Sequence, residues 1–153
     1  MHPAEMDRYQ SSLPEGCRME DVHPLWEGGS IDLGYWKFEV VLTPGHTPGS
    51  VMLLERDKRM LISGDAIQDG TIFMFGPGRN MPAFQSSLRR VMGLADAFDT
   101  VWPSHGSCPL AADIIPDILR NARELAEGKL TAQEPPHPMP CKKYTGDTVS
   151  FLY

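Results

Sequence analysis

Three short stretches carry side chains whose type and setting suit chemistry. Thr43-Pro44-Gly45-His46-Thr47-Pro48-Gly49-Ser50 holds a histidine between two Pro-Gly steps, Ser63-Gly64-Asp65-Ala66 presents a carboxylate, and Pro103-Ser104-His105-Gly106 presents a second histidine. Each follows an apolar run, respectively Trp36 to Leu42, Met60-Leu61-Ile62 and Val101-Trp102. One pattern thus recurs three times: strand, small residues, then a donor. A lone histidine in a loop is more often a by-product of two turns than a ligand. The ordered set is more telling, because two imidazoles and a carboxylate suit zinc, iron or manganese, and loops at the ends of neighbouring strands converge.

The elements that must position these donors are legible around them. Trp36, Phe38 and Val40 alternate with Lys37, Glu39 and Val41, the period-two mark of a half-buried strand. Further strands are expected at 51–55 and 60–62, joined by the charged connection Arg56-Asp57-Lys58-Arg59. Proline fixes φ and glycine supplies angles other residues avoid, so Pro44-Gly45 and Pro48-Gly49 hold the first donor loop in few conformations. Residues 67–82 read as a loop with an apolar centre, Ile72-Phe73-Met74-Phe75. Helices are expected at 83–97, where Phe84, Leu88, Val91 and Ala95 recur at helical spacing, and at 114–127, with Asp113 as cap and Gly128 as terminator. A short helix over 3–12 precedes all of this, and a last strand over 148–153 closes the chain.

The order TPGHTPGS, SGDA, PSHG resembles the metallo-β-lactamase superfamily of hydrolases, its glyoxalase II-like branch in particular, over about residues 2–153. The resemblance implies that His46 binds one metal, that Asp65 bridges two, and that His105 binds the second. Zinc is the metal implied, with iron or manganese as alternatives. It also implies a metal-bound hydroxide attacking an ester, thioester or lactone carbonyl, with Asp65 the catalytic carboxylate. In the family the segment after the bridging aspartate varies with substrate, which makes Phe73, Phe75 and Arg79 candidates for the substrate pocket. One departure is serious: no HxH or HxHxDH occurs in the sequence, and in the family that motif supplies most of the remaining ligands. The expectation is therefore the C-terminal half of an αββα sandwich of the α+β type. Residues 1–153 would form one domain, incomplete at its N-terminus, with one mixed, mostly antiparallel sheet and helices on its outer face.

Composition narrows the partners. With 41% hydrophobic and 22% charged residues the chain is an ordinary globular one, and a net charge of -6 argues against nucleic acid, whose phosphates are held by clustered Lys and Arg. Cys17, Cys108 and Cys141 are odd in number and lack CxxC spacing, so neither a disulfide framework nor a zinc ribbon is expected, and Cys108 reads as small core filler. His2 and His23 precede prolines and read as structural or exposed. No signal pattern and no membrane-length apolar run is present, which points to the cytoplasm, and the family resemblance implies a small-molecule substrate.

Half a sandwich has an energetic consequence. An uncovered sheet face of about five strands spans on the order of 400 Å². Leaving it wet forfeits roughly 10 kcal/mol, comparable to the stability of a whole domain. Association is therefore expected, either as a homodimer or by pairing with a separate N-terminal half. Two protein ligands per metal fall short of the three a catalytic zinc usually needs, so weak or partial occupancy is expected. The alternative reading is a catalytically inactive truncated homologue that serves as a binding or assembly module.

Overall fold

The computed structural model describes residues 1–6 and 13–153. Its main sheet has six strands: β1 (Ser30–Asp32), β2 (Lys37–Leu42), β3 (Val51–Glu55), β4 (Met60–Gly64), β6 (Thr100–Pro103) and β7 (Leu110–Ala111), in that spatial order. All neighbours are antiparallel except β4 and β6. The sheet is thus mixed and mostly antiparallel, as expected. This topology decides where the donors go. Because β2 and β4 each run antiparallel to β3, and β6 runs parallel to β4, the three strands share one direction and their C-terminal ends share one edge. His46, Asp65 and His105 all lie just past those ends.

A second sheet also forms, where the sequence suggests only one. It contains β5 (Thr71–Phe73), β10 (Ser150–Leu152), β9 (Lys143–Thr145) and β8 (Ala132–Gln133) in that order, with β5 and β10 parallel. The apolar centre of the expected loop is therefore a strand, held by residues about eighty positions later in the chain. Ile72 and Met74 are buried, and Phe73 between them points the other way, 43% exposed.

Helix α1 covers Met81–Met92 and α2 covers Ile114–Ala126. The first begins two residues before its expected start, because Asn80 caps it by accepting the Ala83 N–H at 2.9 Å and Pro82 fits its first turn. It stops at Gly93, and a separate 3₁₀ turn covers Ala95–Ala97. Asp113 stands before α2 without a side-chain capping bond. A 3₁₀ turn occupies Pro3–Glu5; the rest of the expected N-terminal helix, 7–12, lies outside the described residues. Cys108 is exposed rather than core filler. No helix among the described residues is long and apolar enough to cross a membrane.

The two faces of the main sheet differ. On one, the cross-strand row Leu54, Leu61 and Val101 is fully buried and joins Val41, Met52 and the apolar stripes of both helices in one core, with Phe84 of α1 edge-on to Phe151 of β10. On the other, the row Val40, Leu53, Ile62, Trp102 grades from fully buried at β2 to 40% exposed at β6, and none of its members belongs to that core. Trp36, stacked on Phe38 at 6.0 Å, extends this apolar face toward β1.

Candidate metal centre

The His46 loop is held rigidly from behind. Three successive carbonyls are taken by residues in and before α1: Ser87 Oγ donates to Pro44 O at 2.7 Å, Asn80 N donates to Gly45 O at 2.9 Å, and the Arg79 guanidinium donates to His46 O. Gly45 makes this seating possible. It sits at φ +141°, and a Cβ there would lie 2.4 Å from the Phe84 backbone. On the N-terminal side, the buried Glu5 carboxylate accepts the Gly49 N–H at 2.6 Å.

The geometry brings the three donors together. His46 Nε2 lies 3.6 Å from Asp65 Oδ2, and His105 Nε2 lies 3.4 Å from Asp65 Oδ1. One carboxylate thus stands between two imidazoles and turns a different oxygen to each. The two histidines differ in surroundings, with side-chain exposure of 11% for His46 and 70% for His105. Burial pushes the His46 imidazole below its ordinary pKa, the Arg79 charge pushes it the same way, and the Asp65 carboxylate partly opposes them. A neutral imidazole is the form that can offer a lone pair to a metal.

A cavity of about 550 Å³ opens over this group, lined by His46, Asp65, His105, Gln68, Phe73 and Arg79 among others. Of the pocket residues suggested by sequence, Phe73 and Arg79 therefore line it. Phe75 does not: it is half-buried two residues beyond β5, its ring 6.0 Å from that of Phe73. Gln68 was not singled out by sequence. Its amide donates to Thr71 O at 2.8 Å, which turns its carbonyl oxygen away from that bond. Its place three residues after Asp65 was the available signal.

Donor chemistry and donor count can now be weighed against a metal. The types fit: two imidazoles and a carboxylate are donors that zinc, iron or manganese takes. The number falls short: among the described residues no group of three or more such donors converges to hold one ion, and Asp65 instead forms two pairs.

The model of the metallo-β-lactamase superfamily matches residues 1–135. The chain belongs to this superfamily. Among its relatives is the acyl-coenzyme A thioesterase MBLAC2 of Gallus gallus, 36% identical over 83 residues, which are 53% of this chain and 30% of that protein. Another is the hydroxyacylglutathione hydrolase GloC of Haemophilus influenzae, 37% identical over 46 residues, which are 30% of this chain and 22% of that one. Among solved structures, TTHA1623 in a di-iron-bound form superimposes with a TM-score of 0.59 at 27% identity, covering 72% of this chain and 58% of that one. The curated relatives it matches are much longer, the matched region being 22 to 39% of their length. The α+β superfamily fold is thus the one expected from the sequence, with a second sheet beside the single one expected.

Proposed function

We propose that this chain carries one part of a metal-dependent hydrolase site for a carbonyl substrate of the ester or thioester kind, and that His46, Asp65 and His105 are its metal ligands. The single observation that carries this is the Asp65 carboxylate set between two imidazole nitrogens, 3.6 and 3.4 Å away. Zinc, iron or manganese suits this donor set, and when bound would supply an acidified water and a polarised carbonyl. The residues themselves do the positioning. Asp65, with an oxygen toward each histidine, is the shared ligand and the carboxylate on which the site turns. Phe73 offers the cavity an exposed aromatic wall, and Arg79 lines it beside His46. The thioesterase and hydrolase names of two relatives support a thioester-like substrate.

The donor count adds a condition. Each metal would have two protein ligands here, and a catalytic zinc usually has three, so the remaining donors would come from another polypeptide segment. The apolar row Leu53, Ile62, Trp102 on the sheet face opposite the helices is the surface such a segment would cover. A homodimer would cover the face without adding an HxHxDH set. Sedimentation separates these cases, and a monodisperse monomer with a full complement of metal would refute the condition. The same shortage favours a second reading, a catalytically silent binding or assembly module.

Metal analysis of the purified protein, followed by hydrolysis assays on simple esters and acyl thioesters with zinc, iron or manganese added, tests the proposal. Near-stoichiometric metal and metal-dependent turnover are expected when the missing donors are present. An empty site and no hydrolysis under those conditions would leave the silent module as the correct reading.

A further inference from the structure

His105 is the more weakly held of the two histidines. Its side chain is 70% exposed and meets Asp65 at 3.4 Å, so its position depends largely on the backbone that carries it. That backbone is tied to the Asp65 loop on both sides. Ahead of the histidine, Ser104 N donates to Gly64 O at 3.1 Å; behind it, Ser107 N donates to Asp69 Oδ1 at 3.0 Å. Between the two ties Gly106 takes φ +82°, and a Cβ on it would lie 2.0 Å from Asp69 Oδ1. The carboxylate therefore lies directly against the His105 loop, in space that an ordinary side chain at 106 would occupy. Ser107 holds the Asp69 carboxyl below its usual range through both its hydroxyl and its amide, so the tie is charge-assisted.

We propose that Asp69 is a positioning residue: by anchoring the Ser107 amide it fixes His105 opposite Asp65 and so sets the affinity of the second donor pair. This rests on the metal-binding reading above. Asp69 would not touch metal or substrate. It acts on the spacing of two ligands on separate loops, where an error of an ångström is enough to lose an ion. The exposed Asp69 has no core to disturb, so its removal is a change of geometry more than of stability.

The test compares the wild-type chain with Asp69→Ala, Asp69→Asn and Gly106→Ala, using Co²⁺ titration followed by visible absorption, amide hydrogen exchange at Ser107, and thermal unfolding. Asp69→Ala is expected to weaken Co²⁺ binding about 10- to 100-fold, the range for losing an outer-shell partner, and to speed exchange at Ser107, with the unfolding midpoint little changed. Asp69→Asn keeps the acceptor oxygen and should restore both readouts. Gly106→Ala disturbs the same contact from the other side and should reproduce the loss. Unchanged exchange and unchanged Co²⁺ affinity in Asp69→Ala would overturn the proposal, as would a loss that Asn does not rescue. A wild-type chain that binds no Co²⁺ would show that His46, Asp65 and His105 do not hold a metal without the further donors. The exchange data would then still decide whether Asp69 anchors the loop.

Discussion

Two buried polar groups show how differently one chain can treat the same cost. Asn121, fully buried in α2, uses its whole hydrogen-bonding capacity: its amide donates to Glu124 Oε2 at 3.0 Å and Asp147 Oδ1 at 2.7 Å, and its carbonyl accepts the Thr148 and Val149 N–H groups at 3.2 Å each. Arg120 adds a bond to Asp147 at 2.8 Å, and the α2-to-β10 connection is clasped shut. At the His46 rim the reverse holds. Glu5 Oε2, Thr43 Oγ1 and Gln68 Oε1 are buried without partners among the described residues; Glu5 braces the His46 loop, Thr43 begins it and Gln68 lines its cavity. An unmet buried polar group costs on the order of 1–3 kcal/mol. The clasp is polar structure built to be complete. The rim leaves several of its polar atoms unmet among the described residues.

That contrast can be broken from either side, and the largest effect should come from Asp65. Asp65→Ala should abolish metal-dependent turnover in any form of the protein that has turnover, while its 43% exposed side chain leaves stability within about 0.5 kcal/mol. Retained turnover at full metal occupancy would remove Asp65 from the chemistry. Asn121→Ala should do the opposite. Stranding the Thr148 and Val149 amides should cost about 2–4 kcal/mol in urea unfolding and leave Co²⁺ affinity within error, because Asn121 does not line the cavity.

Gly45→Ala should fall between the two, since it touches both the site and the packing. Its Cβ would meet the backbone of α1, which cannot swing aside, so a loss of about 1–3 kcal/mol is expected together with weaker metal binding. Denaturation and Co²⁺ titration of one preparation measure both; full stability with unchanged affinity would show that the loop is not pinned by α1.

The smallest effect is the clasp's response to acid. Arg120 first, and then Asn121, hold the Asp147 carboxyl down to about 2, against 3.8 ordinarily. The unfolded chain therefore binds the proton more readily than the folded one. The stabilisation is present in full above about pH 4 and is lost as pH falls toward about 2. Subtracting the pH–stability profile of Asp147→Asn from that of the wild type should give a difference that shrinks across that window. A difference that grows with acid would mean the carboxylate is not held by Arg120.

The donors were legible in sequence because each announces itself locally. The period-two strand at 36–42 and the apolar run at 60–62 end in small residues, and the directions of β2, β4 and β6 then bring His46, Asp65 and His105 to one edge. What was not legible acts across long separations. Thr71–Phe73 looks like loop because three residues beside Gly70 carry little local signal, and it becomes a strand only through β10. Asp69 was silent for a related reason: it works on the backbone of a loop 38 residues away, which no local pattern records.

The most direct test of the shared-carboxylate centre is a crystal structure of the zinc-soaked protein with anomalous scattering measured at the zinc edge. The expected result is zinc density beside Asp65, in contact with His46 Nε2, His105 Nε2 or both. Coordinates placing the three side chains apart, or zinc bound only at other residues, would contradict it.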